Sequence, residues 1–300
     1  MWLLLAIIGY FILALVIILD KLVVSKSAQK PIVYTFYSTI FMFGALLALP
    51  FLGWGMLNGV DWLWAIGSGV AFGLALWLLY LGVNEGETSH ISPFNGAIFT
   101  VGIFLLANLI LGEKLTDVQM AGTIVLGFAC LLLSFERSKK HKGIHIGFLW
   151  AGISGLLFAF SHVAAKELYN IYPFWTAFIW TRATTGLVGL FCLLFPSVWQ
   201  ALRYHTESEA YARKHAGLII ISDKILSVIA VILIQYAYAT GVVTVVGAIG
   251  GLQYVFMFVM VYLLTKFLPR IFKEYFTKRE LTVEVIATIL VALGSAFFVL

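Results

Sequence analysis

The 300-residue chain is 62% hydrophobic and 11% charged, with a net charge of +5; its mean hydropathy is +1.02. A soluble domain holds about 45–50% apolar and roughly 25% charged residues, whereas ten bilayer spans of about 20 residues would take up some two thirds of this chain. The composition excludes a secreted disulfide scaffold, a nucleic-acid binder and a large extramembrane enzyme domain, and in a polytopic membrane protein the positive excess reads as cytoplasmic loops.

Ten spans are expected. Residues 2–19 carry no charge and make the first; the segment lacks a basic n-region and an A-x-A-like cleavage site, so it reads as a retained helix. The second runs over 31–51 between Pro31 and Pro50, the third over 62–84, the fourth over 89–111 and the fifth over 118–135. A charged linker, 136–145, follows. The sixth and seventh spans are 146–168 and 173–195; the eighth is 215–239, with Asp223 and Lys224 inside it. The charge-free run 225–265 is too long for one crossing, and a break near Thr240-Gly241 leaves the ninth span at 243–265. The tenth is 282–299. Small residues four apart (Gly69/Gly73, Gly82/Gly86, Gly247/Gly251, Gly147/Ala151/Gly155) are the spacing at which helices approach closely in lipid. Trp54, Trp62 and Trp64 suit an interfacial belt. Cys130 and Cys192 lie in apolar runs and read as small hydrophobes.

The linker divides the spans into five and five, and the halves echo each other. Lys21 and Lys166 close the first and sixth spans, ALLALP (45–50) and FCLLFP (191–196) end the second and seventh, and Leu115-Thr116 and Leu281-Thr282 open the fifth and tenth. An odd number of spans per half sets the two in opposite orientations, an inverted repeat of the kind used for alternating access.

The segment LGEKLTDVQMAGTIVLGFACLLLS (111–134) resembles the end of an EamA-type domain of the drug/metabolite transporter superfamily, where a Gly-Glu-basic-Leu-Thr turn leads into a Gly-rich last helix. WTAFIWTRATTGLVGLFCLLFP (175–196) is similar to the family's second helix of a half, with Arg182 where the family often has an arginine. Thr100 stands near a position where the family often has proline, and KRELT (278–282), after the insertion LPRIFKEYF (268–276), replaces the second turn. The resemblance implies an all-α protein of two five-helix units, 1–135 and 146–300. It implies a transporter of small solutes with a central cavity between the halves.

Ionisable groups inside spans are expensive and face the bundle interior or a cavity. Arg182 lies about ten residues into its span, with Phe178, Thr185, Gly186 and Gly189 near its face. It either holds an anionic solute, such as a carboxylate, or locks helices by bonding carbonyls. Asp223 and Lys224 share roughly one half of their helix with Ser227, Gln235 and Tyr238. Asp223 suits a counter-charge to Arg182 or a coupling-proton site, and both charges equally suit snorkelling to the interface. His162, one turn from Lys166, suits a proton relay or an interfacial structural pair. Asn84, Asn95, Gln253, Tyr34, Tyr37, Tyr80, Tyr236 and Tyr254 are candidates to line the cavity, and each reads equally as interhelical glue. Glu113 reads as a helix-start residue, since an acid suits a helix N-terminus.

No catalytic, metal or cofactor motif is present. Loops 1–2, 5–6, 7–8 and 9–10 carry 3, 4, 3 and 5 Lys/Arg, while the opposite loops carry only Lys114 and Lys166. This bias puts the linker in the cytoplasm and both termini outside; the resemblance instead implies cytoplasmic termini. The reading is a ten-helix secondary transporter in a bacterial inner membrane, exporting a small anionic or zwitterionic metabolite. Proton coupling is open, and a monomer suffices. A lipid-linked-sugar flippase or a non-transporting scaffold or receptor stands as the alternative.

Overall fold

The computed structural model describes residues 1–24, 30–52, 55–85, 88–134, 146–203, 213–267 and 278–297. Among them there is helix and no strand. Helix α1 is Trp2–Val24. The second predicted span is α2 (Pro31–Ile40), a 3₁₀ stretch (Phe41–Ala48) and α3 (Leu49–Leu52). Next come α4 (Asp61–Glu85), α5 (Thr88–Leu111) and α6 (Asp117–Ser134). The second half opens with α7 (Ile146–Ile171) and α8 (Phe174–Cys192). It continues through α9 (Pro196–Arg203) and α10 (Arg213–Thr240) to α11 (Val243–Ile249), α12 (Leu252–Phe267) and α13 (Lys278–Ala296).

Among the described residues six helical segments are long and apolar enough to cross a bilayer: 2–19, 31–52, 61–85, 91–111, 146–171 and 243–267. The pair α8–α9 makes a seventh if it is taken as one span, but it bends by 93°. The predicted fifth, eighth and tenth spans coincide with shorter apolar helices, Asp117–Leu132, Lys224–Thr240 and Val285–Ala296. One expectation is corrected. The seventh helix stops at Cys192, because Leu193, Leu194 and Phe195 turn with i→i−3 bonds and Pro196 starts a new helix across the old axis. The ninth segment crosses as predicted, over 243–267, with a local interruption at Gly250-Gly251, where two adjacent glycines remove the side chains that would favour continuous helix. The break predicted near Thr240-Gly241 is present.

Small residues set the packing. Helix α4 packs on α7 and α8, α1 on α10 and α12, α5 on α7 and α6, and α6 on α13. A Cβ on Gly69 would collide with Thr184 Oγ1 and lie 2.5 Å from the Thr185 nitrogen; one on Gly155 would lie 2.8 Å from the Asn95 carbonyl oxygen. Both glycines therefore let backbones touch, which is the main source of helix association where lipid and side chain are equally apolar. Hydroxyls bond across the seams: Ser154 to Ala75 O (2.7 Å), Thr184 to Ala65 O (2.7 Å) and Ser68 to Ser161 O (2.8 Å). Outward positions carry Leu4, Phe41, Leu63, Leu109, Ile124, Phe128 and Leu190, all exposed, an apolar surface suited to lipid. Cys130 and Cys192 are buried and free. The protein is an integral, multi-pass membrane protein.

Candidate functional site

Arg182 stands near the middle of α8, about 12 Å from its start at 1.5 Å per residue, and is 2% exposed. Its guanidinium carbon lies 4.5 Å from the ring centroid of Phe72 on α4 and 5.9 Å from that of Phe178. Nε and Nη1 have no hydrogen-bond partner, and no carboxylate bonds the group among the described residues. A guanidinium removed from water without hydrogen bonds loses several kcal/mol; a desolvated cation–π contact returns about 2. The arginine is thus held in place but not satisfied.

Polar groups of α7 lie within its electrostatic reach, and one of them bonds to α10. Tyr169 feels the Arg182 charge and donates its hydroxyl to Gln235 Oε1 at 3.0 Å. His162 Nδ1 donates to the Phe158 carbonyl at 2.8 Å, which leaves Nε2 as the free ring nitrogen. The imidazole lies against Phe99 (5.4 Å) and Tyr238 (4.7 Å), and Phe72, which also covers Arg182, is 6.1 Å away. Tyr238 meets Tyr10 of α1 hydroxyl to hydroxyl at 3.4 Å, and Tyr10 donates to the Val246 carbonyl. Tyr236 packs edge-on to Phe174 at 5.1 Å. The structure therefore gathers Arg182, His162 and Gln235 with Tyr169 and Phe72, two partners that periodicity did not single out.

The other sequence candidates stand apart. Tyr80 is two turns beyond Phe72 on α4, roughly 12 Å along the axis, and its hydroxyl meets Ser38 Oγ at 2.9 Å. Asn95 donates to the Ala151 carbonyl at 2.9 Å and joins α5 to α7; Tyr254 does the same between α12 and the Ser92 carbonyl. Lys224 is exposed on α10. Asp223 belongs to α10 but its side chain lies outside the described residues, as do those of Asp20 and Lys21.

A second charged group sits where α10 ends and α11 begins. Glu113 is a helix-start residue, but of α11 and not of the helix that follows it in sequence. Its carboxylate accepts from Val243 N (2.7 Å), Thr244 N (3.0 Å) and Thr244 Oγ1 (2.6 Å). Lys166 donates to the Ala239 and Gly241 carbonyls (2.9 and 3.1 Å) at the C-terminus of α10 and is attracted to Glu113. Each charge meets the helix end of opposite partial charge. Gly112 places Glu113 there by ending α5 at φ +63, a conformation open to glycine at little cost. Close by, beyond the end of α7, Tyr172 donates to Asp61 (2.5 Å) and accepts from Asn58 N (2.8 Å). The Asp61 carboxylate raises the Tyr172 phenol above the usual tyrosine range, so the bond persists below about pH 10 and is lost as pH rises through that raised value. The connections 55–60, 112–116, 172–173 and 241–242 thus meet at one end of the bundle.

Residues 1–135 match the model of the EamA-like transporter family. This stretch, somewhat under half of the chain, is similar to that family. The match ends where the basic linker begins. A solved structure titled only "Crystal structure of protein" is similar over 99% of this chain and 94% of its own, with a TM-score of 0.68 and 17% identity. That likeness is one of fold. No curated protein matches the chain.

Proposed function

We propose that this EamA-type protein is a secondary transporter that exports a small anionic or zwitterionic metabolite by alternating access. In this reading ten spans form two inverted five-helix repeats, 1–135 and 146–300, joined by a basic cytoplasmic linker (136–145), in a bacterial cytoplasmic membrane. One chain is the working unit. The helix pairings support the repeat: exchanging the halves turns the α4–α7 contact into α10–α1, and α5–α7 into α12–α1.

The observation that carries the function is Arg182, a cation near mid-helix that is 2% exposed with Nε and Nη1 unbonded. A carboxylate or phosphate arriving between the halves would supply both missing acceptors in bidentate geometry. Gln235 and Tyr169 would supply polar contacts beside it, and His162 a group able to exchange a proton with the solute or with a coupling site. Binding the solute removes the cost of the bare charge, so the loaded carrier closes more readily than the empty one. Transport then needs a solute that pairs with Arg182 in the occluded state and releases it when one face opens.

The test is efflux and uptake in proteoliposomes against a panel of acidic, zwitterionic, neutral and cationic metabolites, with and without a pH gradient. Wild type moves a carboxylate- or phosphate-bearing solute and Arg182→Ala does not. If neither protein moves any solute the transporter reading fails. If both move the same solute equally, the Arg182 role fails.

A further inference from the structure

The elbow between α8 and α9 is another place where the fold gathers polar groups, ten residues along α8 from Arg182. Helix α9 leaves α8 at 93°, so when α8 crosses the bilayer α9 lies along its surface. Val198, fully buried, anchors one side of α9 against Ile32, Val33 and Phe36 of α2. The opposite side carries Pro196, Trp199, Gln200 and Arg203, spaced i, i+3, i+4 and i+7, which is one helical face. With Leu194 of the turn these four residues line a cavity of about 510 Å³. The Trp199 indole donates to the Leu193 carbonyl at 2.6 Å, which fixes the ring as one wall. Leu194 is 74% exposed.

Among the described residues of the elbow the charge is of one sign. Arg203 is exposed, and no carboxylate pairs with it among the described residues. Lys30, also exposed, precedes the α2 helix on which α9 packs. A tryptophan at headgroup depth, a basic residue beside it and a leucine on the lipid side are the parts of an amphipathic interfacial helix. We infer that the α8–α9 elbow binds one anionic phospholipid, its phosphate on Arg203 and Gln200 and its acyl chains along Leu194 and Trp199. The site faces lipid and not the space between the halves, so it stands or falls independently of the solute carried.

The test is native mass spectrometry of the full chain from nanodiscs of phosphatidylcholine with increasing phosphatidylglycerol. Wild type retains one phosphatidylglycerol in preference to phosphatidylcholine. Arg203→Gln lowers that preference about fivefold, the size of one basic residue's attraction to an anionic lipid surface, and Arg203→Lys keeps most of it. Gln200→Glu, which sets a negative charge beside an intact Arg203, lowers it as well and serves if Arg203→Gln does not fold. Equal retention of the two lipids by wild type, or an unchanged preference in both Arg203→Gln and Gln200→Glu, overturns the site. Displacement of the lipid by millimolar inorganic phosphate also overturns it, because the elbow would then be a free-anion site.

Discussion

Glu113 and Arg182 are both charged side chains set against apolar helices, and the protein treats them in opposite ways. Glu113 accepts three hydrogen bonds at the start of α11, and Lys166 beside it gives two to the end of α10. Every part of that group completes a helix end. Arg182 has two aromatic faces for company and two nitrogens with no acceptor. A fold that needed a charge to tie helices would finish its bonds, as it does at Glu113. In the proposed reading, the buried guanidinium short of acceptors keeps a place for a solute that arrives and departs. The comparison also shows a tie between distant parts of the chain: Glu113 belongs to the EamA-like stretch, and the helix it caps lies beyond that stretch.

The largest expected effect separates the two regions. Arg182→Ala lowers transport of the pairing solute about 100-fold or more, the loss expected when one partner of a buried charge pair is truncated. It leaves the melting temperature unchanged or raised, because it removes an uncompensated buried charge. Glu113→Ala does the reverse in stability. Losing three bonds to a carboxylate and the cap of α11 costs about 2–3 kcal/mol, read as a drop of several degrees in thermal melting in detergent, and Glu113→Gln recovers part of it. If Arg182→Ala melts lower than Glu113→Ala, the contrast is wrong. Lys166→Met is smaller, about 1–2 kcal/mol, because two carbonyls at a helix end can turn to water. The smallest change is Tyr169→Phe. It frees Gln235 Oε1 and costs about 1 kcal/mol of stability, but lowers transport several-fold if this pair contacts solute. A melting shift with no change in transport would assign Tyr169 to the structural group with Glu113.

Much of this was legible in the sequence. Hydropathy located the helices to within a few residues, since an apolar run of that length has few other solutions, and it flagged Arg182 because a lone charge in such a run stands out. Phe178 was read correctly as its neighbour; Gly186 and Gly189, placed on the same face, pack instead on Phe43 and Ile40. Hydropathy reports what lies in lipid and is silent on which helix faces which, so the Tyr169–Gln235 pair and Phe72 over the guanidinium were not visible. Glu113 shows the same limit. Its type announced a helix start, and only the fold shows that the helix is α11, 130 residues away. The elbow after Cys192 was hidden because Leu193, Leu194 and Phe195 are as apolar as the span they end.

Binding tests the central claim most directly. Melting of wild type and Arg182→Ala should be followed with increasing amounts of the solute that the panel identifies. A ligand bound only to the folded state stabilises by RT ln(1 + [L]/Kd), so wild type should melt progressively higher while Arg182→Ala stays where it was. An equal rise in both proteins would contradict the account, because the solute would then be held by groups other than the unpartnered arginine.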